Sequence, residues 1–165
     1  MTLNLTLDEL LAWTAEERAK WHAWFTAHPR ALDVPVQPGG RFPDVGSLVD
    51  HIFLVEVRHT CRLRRHELPS ESGVAVGDIG GLFAYAAAGR DDVHHYLRTL
   101  TADDAAAPRE VAVQSGAKVQ MTPRKLLFHM QLHEVRHWAQ VAAAVRLAGF
   151  APPGEHDLFY SRAML

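Results

Sequence analysis

The sequence predicts an all-α protein, an antiparallel four-helix bundle with a short β-hairpin before the last helix. Apolar residues recur at helical spacing in four long stretches, and residues that begin or end helices stand at the limits of these stretches. Few strand signals compete with them. The length of 165 residues is typical of one domain, which we expect to span residues 1–165.

The first helix is expected over about Leu7–Ala27. Thr6 with Glu9 matches the capping-box pattern, in which a hydroxyl and a carboxylate satisfy the first free backbone N–H groups. Thr14 with Glu17 matches the same pattern inside the stretch. The sequence therefore leaves open whether this region is one helix or two abutting helices.

Two further helices are expected in the middle of the chain. The segment 33–43 is rich in proline and glycine and is expected to be a loop. The second helix is expected to begin at Ser47, whose hydroxyl can cap it, and to end before Pro69. The third is expected over about Ile79–Leu100, although Gly89 weakens its middle.

The hairpin and the last helix follow. Residues 110–114 and 118–121 alternate in polarity on either side of a Ser-Gly turn at 115–116, which is typical of a hairpin. The last helix carries the clearest end signals, with Thr122 as the cap and Gly149 just beyond its end.

Composition excludes several classes of protein. With a formal net charge of -2 and no basic tract, the chain lacks the positive surface that binding to nucleic acid requires. The N-terminal segment has no apolar run long enough for a signal peptide or a membrane span, so we expect no membrane partner. Cys61 is the only cysteine, which excludes an intrachain disulfide and favours the reducing cytoplasm.

The unusual feature is the count of 11 histidines. His129, His133 and His137 are four residues apart on the last helix, so their imidazoles lie along one side. His133 and His137 fall within the apolar stripe, with His129 near one edge and Glu134 near the other. The stripe is defined by Leu126, Met130, Val141, Ala144 and Ala148. Two neighbouring buried imidazoles are satisfied by a divalent metal ion, so the pair predicts a metal site.

A third ligand is expected from the second helix, where periodicity leaves two candidates open. His51 lies one turn into the helix at the margin of its apolar face, and His59 lies nearer the centre of that face. On this criterion His59 has the better claim. His66 lies farther along and is expected to face solvent.

Residues 133–137 also match the H-E-x-x-H pattern of zinc metalloproteases. A metzincin would continue with glycine and histidine where this chain has Gln140 and Ala143. The alternative plan needs a downstream acidic ligand, for which Glu155 and Asp157 are available but with little room for a supporting helix. The protease interpretation is therefore disfavoured. Three roles stay open for Glu134: a general base acting through metal-bound water, a residue that orients a histidine, or a partly exposed salt bridge.

Other polar residues receive simpler interpretations. Gln140 is expected to hydrogen-bond near the histidines, and Arg136 is expected at the surface. The stretches 90–92 and 94–95 are expected to be solvated. Cys61 is expected to be an unreactive helix residue, since a reactive thiol needs both exposure and a lowered pKa.

Three segments resemble the DinB/YfiT-like family: Ser47–Glu56, Leu127–Gln140 and Arg146–Gly149. The order of helices resembles that family too. The resemblance implies a four-helix bundle, frequent dimers and a three-histidine site for a divalent metal, often zinc or nickel. Matched position by position, it implies His51, His133 and His137 as the metal ligands, which selects His51 over His59.

The resemblance also implies candidate functions, since some relatives are thiol S-transferases or isomerases that use a low-molecular-weight thiol. We therefore expect a cytoplasmic homodimer, possessing a metal-dependent transferase or hydrolase activity toward a small molecule, with Glu134 as the candidate catalytic residue. The alternatives are a non-catalytic, stress-related metal-binding protein and a dimeric interaction module. No nucleic acid is expected as a partner.

Overall fold

The computed structural model describes residues 4–36, 39–112 and 116–163. The elements in chain order are helices α1 (Leu7–Ala27), α2 (Val45–Arg64), α3 (Ile79–Leu97) and α4 (Ala102–Ala106), strands β1 (Arg109–Ala112) and β2 (Lys118–Met121), and helix α5 (Pro123–Leu147). Short 3₁₀ turns follow α1 and α5, at Pro29–Asp33 and Leu158–Tyr160. The predicted all-α class with one small hairpin is confirmed.

Helix α1 is a single continuous helix. Its capping box is confirmed, because the backbone N–H of Thr6 donates to Glu9 (2.7 Å) and that of Glu9 donates to the Thr6 hydroxyl (3.2 Å). The Thr14 hydroxyl lies 2.9 Å from the carbonyl oxygen of Leu10, one turn earlier. A hydroxyl that bonds backwards does not cap a new helix. The predicted possibility of two abutting helices is therefore wrong.

Helices α2 and α5 each begin at a side chain that caps the first turn. Helix α2 begins at Val45 and is capped by Asp44, whose carboxylate accepts the backbone N–H of Ser47 at 2.7 Å. The prediction of Ser47 as the cap is therefore wrong by one turn, because an aspartate lies at the true boundary. Thr122 caps α5 as predicted, accepting the backbone N–H of Lys125 at 3.1 Å.

Contacts between helices define their directions. Residues at increasing positions of α1 meet residues at increasing positions of α5, so these two helices are parallel; the pairs are Thr14–Gln131, Arg18–Glu134 and Trp21–Trp138. Helix α2 runs against α5, since His51 meets His137 and His59 meets His129. The predicted antiparallel packing thus holds for α2 with α5 but not for α1 with α5.

Helices α2 and α3 are also parallel, as shown by the contacts of Phe53 with Phe83 and of Arg64 with Asp92. Two consecutive parallel helices need a connection that returns along the bundle. Residues 65–78 make it, running back beside α2, where Arg58 donates to the carbonyl oxygen of Pro69 at 2.7 Å. The loop between α2 and α3 therefore packs along the side of α2.

The main core lies between the four long helices. Trp21 is fully buried and stacks on Trp138 with ring centroids 5.2 Å apart, which joins α1 to α5. Gly89, which weakens α3 by propensity, is required by packing, since an added Cβ would lie 2.7 Å from Val57. The close approach of α2 and α3 at this level depends on that glycine.

The β-hairpin lies at one end of the bundle. Strands β1 and β2 are antiparallel, with Arg109 opposite Met121 and Val111 opposite Val119. The predicted strand residues 113 and 114 and the turn residue 115 lie outside the described residues. The hairpin contributes apolar side chains to a pocket between α2 and α5.

Candidate metal centre

Helix α5 places His133 and His137 one turn apart. Their ring centroids are 4.3 Å apart and their Nε2 atoms are 3.0 Å apart. A spacing of four residues brings side chains to the same side of a helix, so this pairing follows directly from the sequence. His137 is 5% exposed and His133 is half-buried.

Helix α2 brings His51 to the same place. Its ring centroid is 5.1 Å from that of His133 and 5.2 Å from that of His137. Each of the three histidines offers one ring nitrogen, and these three atoms all lie within 4.8 Å of one another. The three histidines, the His trio below, therefore converge from two antiparallel helices on one point.

The His trio is held in the neutral form. Burial, followed by the neighbouring His137 and His51, lowers the pKa of His133 to about 2. Burial and the charge of Arg41 lower the pKa of His51 to about 4. The pKa of His137 is also lowered, chiefly by burial. Neutral imidazoles keep the lone pairs that metal ligation needs.

The geometry fits a divalent ion. Zn–N bonds of about 2.0–2.1 Å place neighbouring ligand nitrogens roughly 3.3 Å apart in a tetrahedral site, close to the 3.0 Å between His133 and His137. The Nδ1 atom of His133 is buried without a hydrogen-bond partner in the part of the chain that the structure describes. Gln140 accepts from Nδ1 of His137, which leaves the Nε2 lone pair of His137 available. The cluster can hold a metal ion.

His59 and His129 form a second pair beside the His trio. Their ring centroids are 5.4 Å apart, and His129 lies 5.8 Å from His133. His59 is eight residues after His51, about 12 Å along the helix axis, so it contacts His129 instead of His133 and His137. Periodicity favoured His59 because it shows which face of α2 a residue lies on. It does not show which residue of α5 lies opposite.

The histidines line one pocket of about 810 Å³ between α2, α5 and the hairpin. Its lining contains all five histidines just described. The cationic lining residues are Arg41, Arg58, Arg62, Lys125 and Arg136. The apolar lining residues are Phe42, Val55, Leu68, Val111, Val119, Met121 and Leu126. The site is therefore open to a small molecule, as a catalytic or binding site must be.

Glu134 lies outside this pocket. It was predicted at the edge of the apolar stripe, but it is only 2% exposed and lies at the centre of the buried face of α5. Its two carboxylate oxygens accept from Arg18 at 2.8 and 2.6 Å, and one also accepts from Nε1 of Trp138 at 3.1 Å. With both oxygens bound in the core, Glu134 does not match any of its three predicted roles.

Glu134 belongs to a buried network that joins all four long helices. Arg18 on α1 and Arg90 on α3 each contact both Glu134 on α5 and Glu56 on α2, at 2.6–3.2 Å. Burial alone would raise the pKa of Glu56, but the two arginines more than offset it and hold that pKa low. Gln131 completes the network, accepting from Arg90 at 3.2 Å.

This network was missed in the sequence. Arg90 was expected in a solvated stretch, yet it is 7% exposed, because its guanidinium reaches inward to the two carboxylates. The available signal was the position of Glu56, which follows Ile52 by four residues on the apolar face of α2. A charge at such a position needs a buried partner of opposite sign.

The remaining polar residues agree with their predictions in full or in part. Gln140 hydrogen-bonds to His137 as expected, with its side-chain oxygen accepting from Nδ1 of His137. Arg136 is exposed as predicted, but it also lines the pocket and lies 3.4 Å from Nε2 of His137. His66 is exposed. Burial and Asp92 raise the pKa of Cys61, which agrees with an unreactive thiol.

Two smaller outcomes concern exposure, one a correction and one a confirmation. Ala148, assigned to the buried stripe of α5, is exposed, because it lies past the last turn of the helix. His94 and His95 are exposed as expected.

A family model for the DinB family matches residues 1–163 of the chain. The chain belongs to the DinB family. The match covers every helix that builds the His trio, so the resemblance seen in three segments extends over the whole bundle. No curated protein was found to match this DinB-family chain. Among the described residues, no helix is long and apolar enough to span a membrane.

Proposed function

We propose that His51, His133 and His137 bind one divalent metal ion, zinc or nickel, and that this DinB-family protein is a metal-dependent enzyme. The observation that carries the proposal is the convergence of three ring nitrogens within 4.8 Å of one another on the wall of an open pocket. A divalent ion with three protein ligands keeps open positions, which is the pattern of catalytic sites.

The reaction that fits best is transfer of a low-molecular-weight thiol to an electrophile. When bound, the ion would lower the pKa of a thiol in its open position. The thiol must come from a substrate, because the pKa of Cys61 is raised and Cys61 does not line the pocket. In this reaction the thiol loses its proton, sulfur forms a bond to an electrophilic carbon, and the leaving group departs with its bonding electrons.

The pocket supplies a base for thiol transfer. Its described lining contains neither aspartate nor glutamate, so a carboxylate cannot take the thiol proton there. His129 can accept the thiol proton instead. It lies next to His133 and keeps contact with solvent, and it is neutral because partial burial and the nearby Arg136 and Lys125 lower its pKa. A pocket of about 810 Å³ has room for both a thiol and a second substrate.

Metal analysis tests the binding step. Protein purified without chelators and without a nickel column should contain about one zinc or nickel ion per chain by mass spectrometry. His51→Ala, His133→Ala and His137→Ala should each lose most of the metal while keeping their helical circular dichroism. His66→Ala is the matched control, because it also removes a histidine, but one that is exposed and lies outside the pocket. Metal-free wild-type protein that binds neither ion on titration would overturn the proposal.

Activity measurements test the chemical step. The metal-loaded protein should accelerate conjugation of glutathione or cysteine to chlorobimane, and a chelator should remove the acceleration. His129→Ala should slow the reaction without changing the metal content. Full metal occupancy with no acceleration of thiol transfer would contradict the catalytic part and leave a non-catalytic metal-binding protein. Acceleration of ester hydrolysis in its place would identify a hydrolase.

A further inference from the structure

The charged residues that line the pocket beside the His trio are all positive among those described. Five of the residues that line it are cations, and among the described lining residues none is an aspartate or glutamate. The chain as a whole has a net charge of -2, with 17 basic and 19 acidic residues. The positive charge is therefore a local property of this pocket and not a reflection of the composition.

The cations extend along the whole line of histidines. At the His trio, Nη2 of Arg136 lies 3.4 Å from Nε2 of His137. At the far end, Nη1 of Arg62 lies 3.1 Å from Nδ1 of His59. Lys125 lies at the same far end on α5, one turn before His129. A ligand that reached from the His trio to His59 would meet positive charge at both of its ends.

Four of these five cations have no carboxylate partner among the described residues. In the described part of the chain, Arg58, Arg62, Lys125 and Arg136 form no ion pair with a carboxylate. The buried Arg18 contrasts with them, since it contacts two glutamates. A metal ion at the His trio would add two further positive charges. Cations gathered in a concave site without counter-charges focus a field that attracts anions.

The apolar part of the lining limits what kind of anion fits. Val55 and Leu126 face the pocket from the two helices, and Val111 and Val119 face it from the hairpin. An inorganic ion would leave these side chains in contact with water. A molecule with an apolar body and a negative group satisfies both parts of the lining.

We propose that the ligand of this pocket is a small organic anion whose carboxylate or phosphate group is bound by Arg62 and Lys125, with its reacting group at the His trio. The inference deepens the proposed function and rests on it for the reacting group alone. The charge preference depends only on the cations, so metal-free protein must show it as well.

Three matched probes of one shape test the preference: naphthoate, naphthyl phosphate and the neutral naphthamide. Isothermal titration calorimetry at low salt should show that metal-free protein binds each anion about tenfold more tightly than naphthamide, with the difference shrinking as salt screens the charges. Whichever of the two anions binds more tightly identifies the preferred group, carboxylate or phosphate. Equal affinity for all three probes would overturn the inference.

Substitutions identify the responsible cations. Lys125→Gln and Arg62→Gln should each weaken naphthoate binding by roughly two- to fivefold and leave naphthamide binding unchanged. Arg124→Gln is the matched control, because Arg124 is the exposed neighbour of Lys125 and does not line the pocket. An equal loss in Arg124→Gln would show a general surface effect and contradict the assignment.

The two proposals fail separately. If the His trio binds no metal but metal-free protein still prefers naphthoate, the proposed function is wrong and the anion pocket stands. If the protein binds metal stoichiometrically but does not distinguish naphthoate from naphthamide, the anion pocket is wrong and the metal site stands. Metal content measured in the Lys125→Gln and Arg62→Gln proteins should equal that of wild type.

Discussion

Gln140 fixes which nitrogen of His137 faces its neighbour. The oxygen Oε1 of Gln140 lies 2.5 Å from Nδ1 of His137, one turn earlier on α5. Because an amide oxygen can only accept, Nδ1 carries the proton and Nε2 keeps its lone pair. That Nε2 atom is the one 3.0 Å from Nε2 of His133. The position of Gln140 thus prepares His137 as a ligand.

We predict that Gln140→Ala weakens zinc binding about 10–100-fold, the usual effect of removing a group that orients a metal ligand. Competition titration with a chelating dye measures this change. Gln140→Glu keeps an acceptor at the same place and should bind zinc at least as tightly as wild type. Unchanged affinity in Gln140→Ala would show that Gln140 does not orient His137.

Metal should stabilise the fold, because the ligands come from two helices. A ligand that binds only the folded state adds about 2.7 kcal/mol to the free energy of unfolding when present at 100 times its dissociation constant. Urea unfolding with and without zinc measures this gain. His133→Ala should abolish it, and His66→Ala should retain it. A gain of equal size in His133→Ala would place the bound zinc elsewhere.

Metal-free protein should lose stability between pH 6.5 and pH 5. Above the ordinary histidine pKa of 6.5, His51 and His133 are neutral in both states. Below it the unfolded chain binds protons, whereas the folded state holds the pKa of His51 at about 4 and that of His133 at about 2. Since the unfolded state then binds more protons, acid favours unfolding. The loss begins near pH 6.5 and continues as the pH falls toward 4.

Urea unfolding at several pH values in a chelator measures this loss. Restricting the range to above pH 5 separates the histidines from Glu56, whose contribution is lost only at more acidic pH, below its ordinary pKa of 4.5. His51→Gln should reduce the slope of stability against pH, because it removes one of the groups. Stability that stays constant from pH 7 to pH 5 would contradict the prediction.

Glu134→Gln should destabilise the protein without affecting metal binding. It removes one of the two carboxylates that neutralise Arg18 and Arg90 in the core, and breaking a buried ion pair costs about 3–5 kcal/mol. Asp92→Asn is the control, since its pair with Arg64 is near the surface and its loss should cost less than about 1 kcal/mol. Urea unfolding gives both values. If Glu134→Gln instead keeps wild-type stability but loses metal or activity, Glu134 has a role in the metal site and this prediction is wrong.

Much of the local structure follows from local sequence. The Thr6–Glu9 capping box and the Thr122 cap were predictable, because a cap acts on backbone groups two or three residues away. The pairing of His133 with His137 was predictable for the same reason. The α-helix repeats every 3.6 residues, so a spacing of four fixes neighbours on one face without any knowledge of the fold.

The arrangement of the helices relative to one another could not be predicted from these local patterns. Periodicity assigns a residue to a face but does not give the direction of a helix or its axial register against a partner. Periodicity could not choose between His51 and His59 on α2; the family resemblance selected His51, and the packing of α2 against α5 places it beside His133 and His137. The parallel arrangement of α1 and α5 is a similar case, since it depends on the crossover at residues 65–78.

The sequence by itself determined an all-α bundle with two histidines ready to bind a metal, because those features depend on contacts within one helix. Three further features depend on tertiary structure. Helix packing brings His51, which the family resemblance had selected, to the pair; it also buries Glu134 among the arginines of other helices and gathers the cations around one pocket. The physical reason is that charge compensation and metal ligation act across helices, over distances that only packing sets.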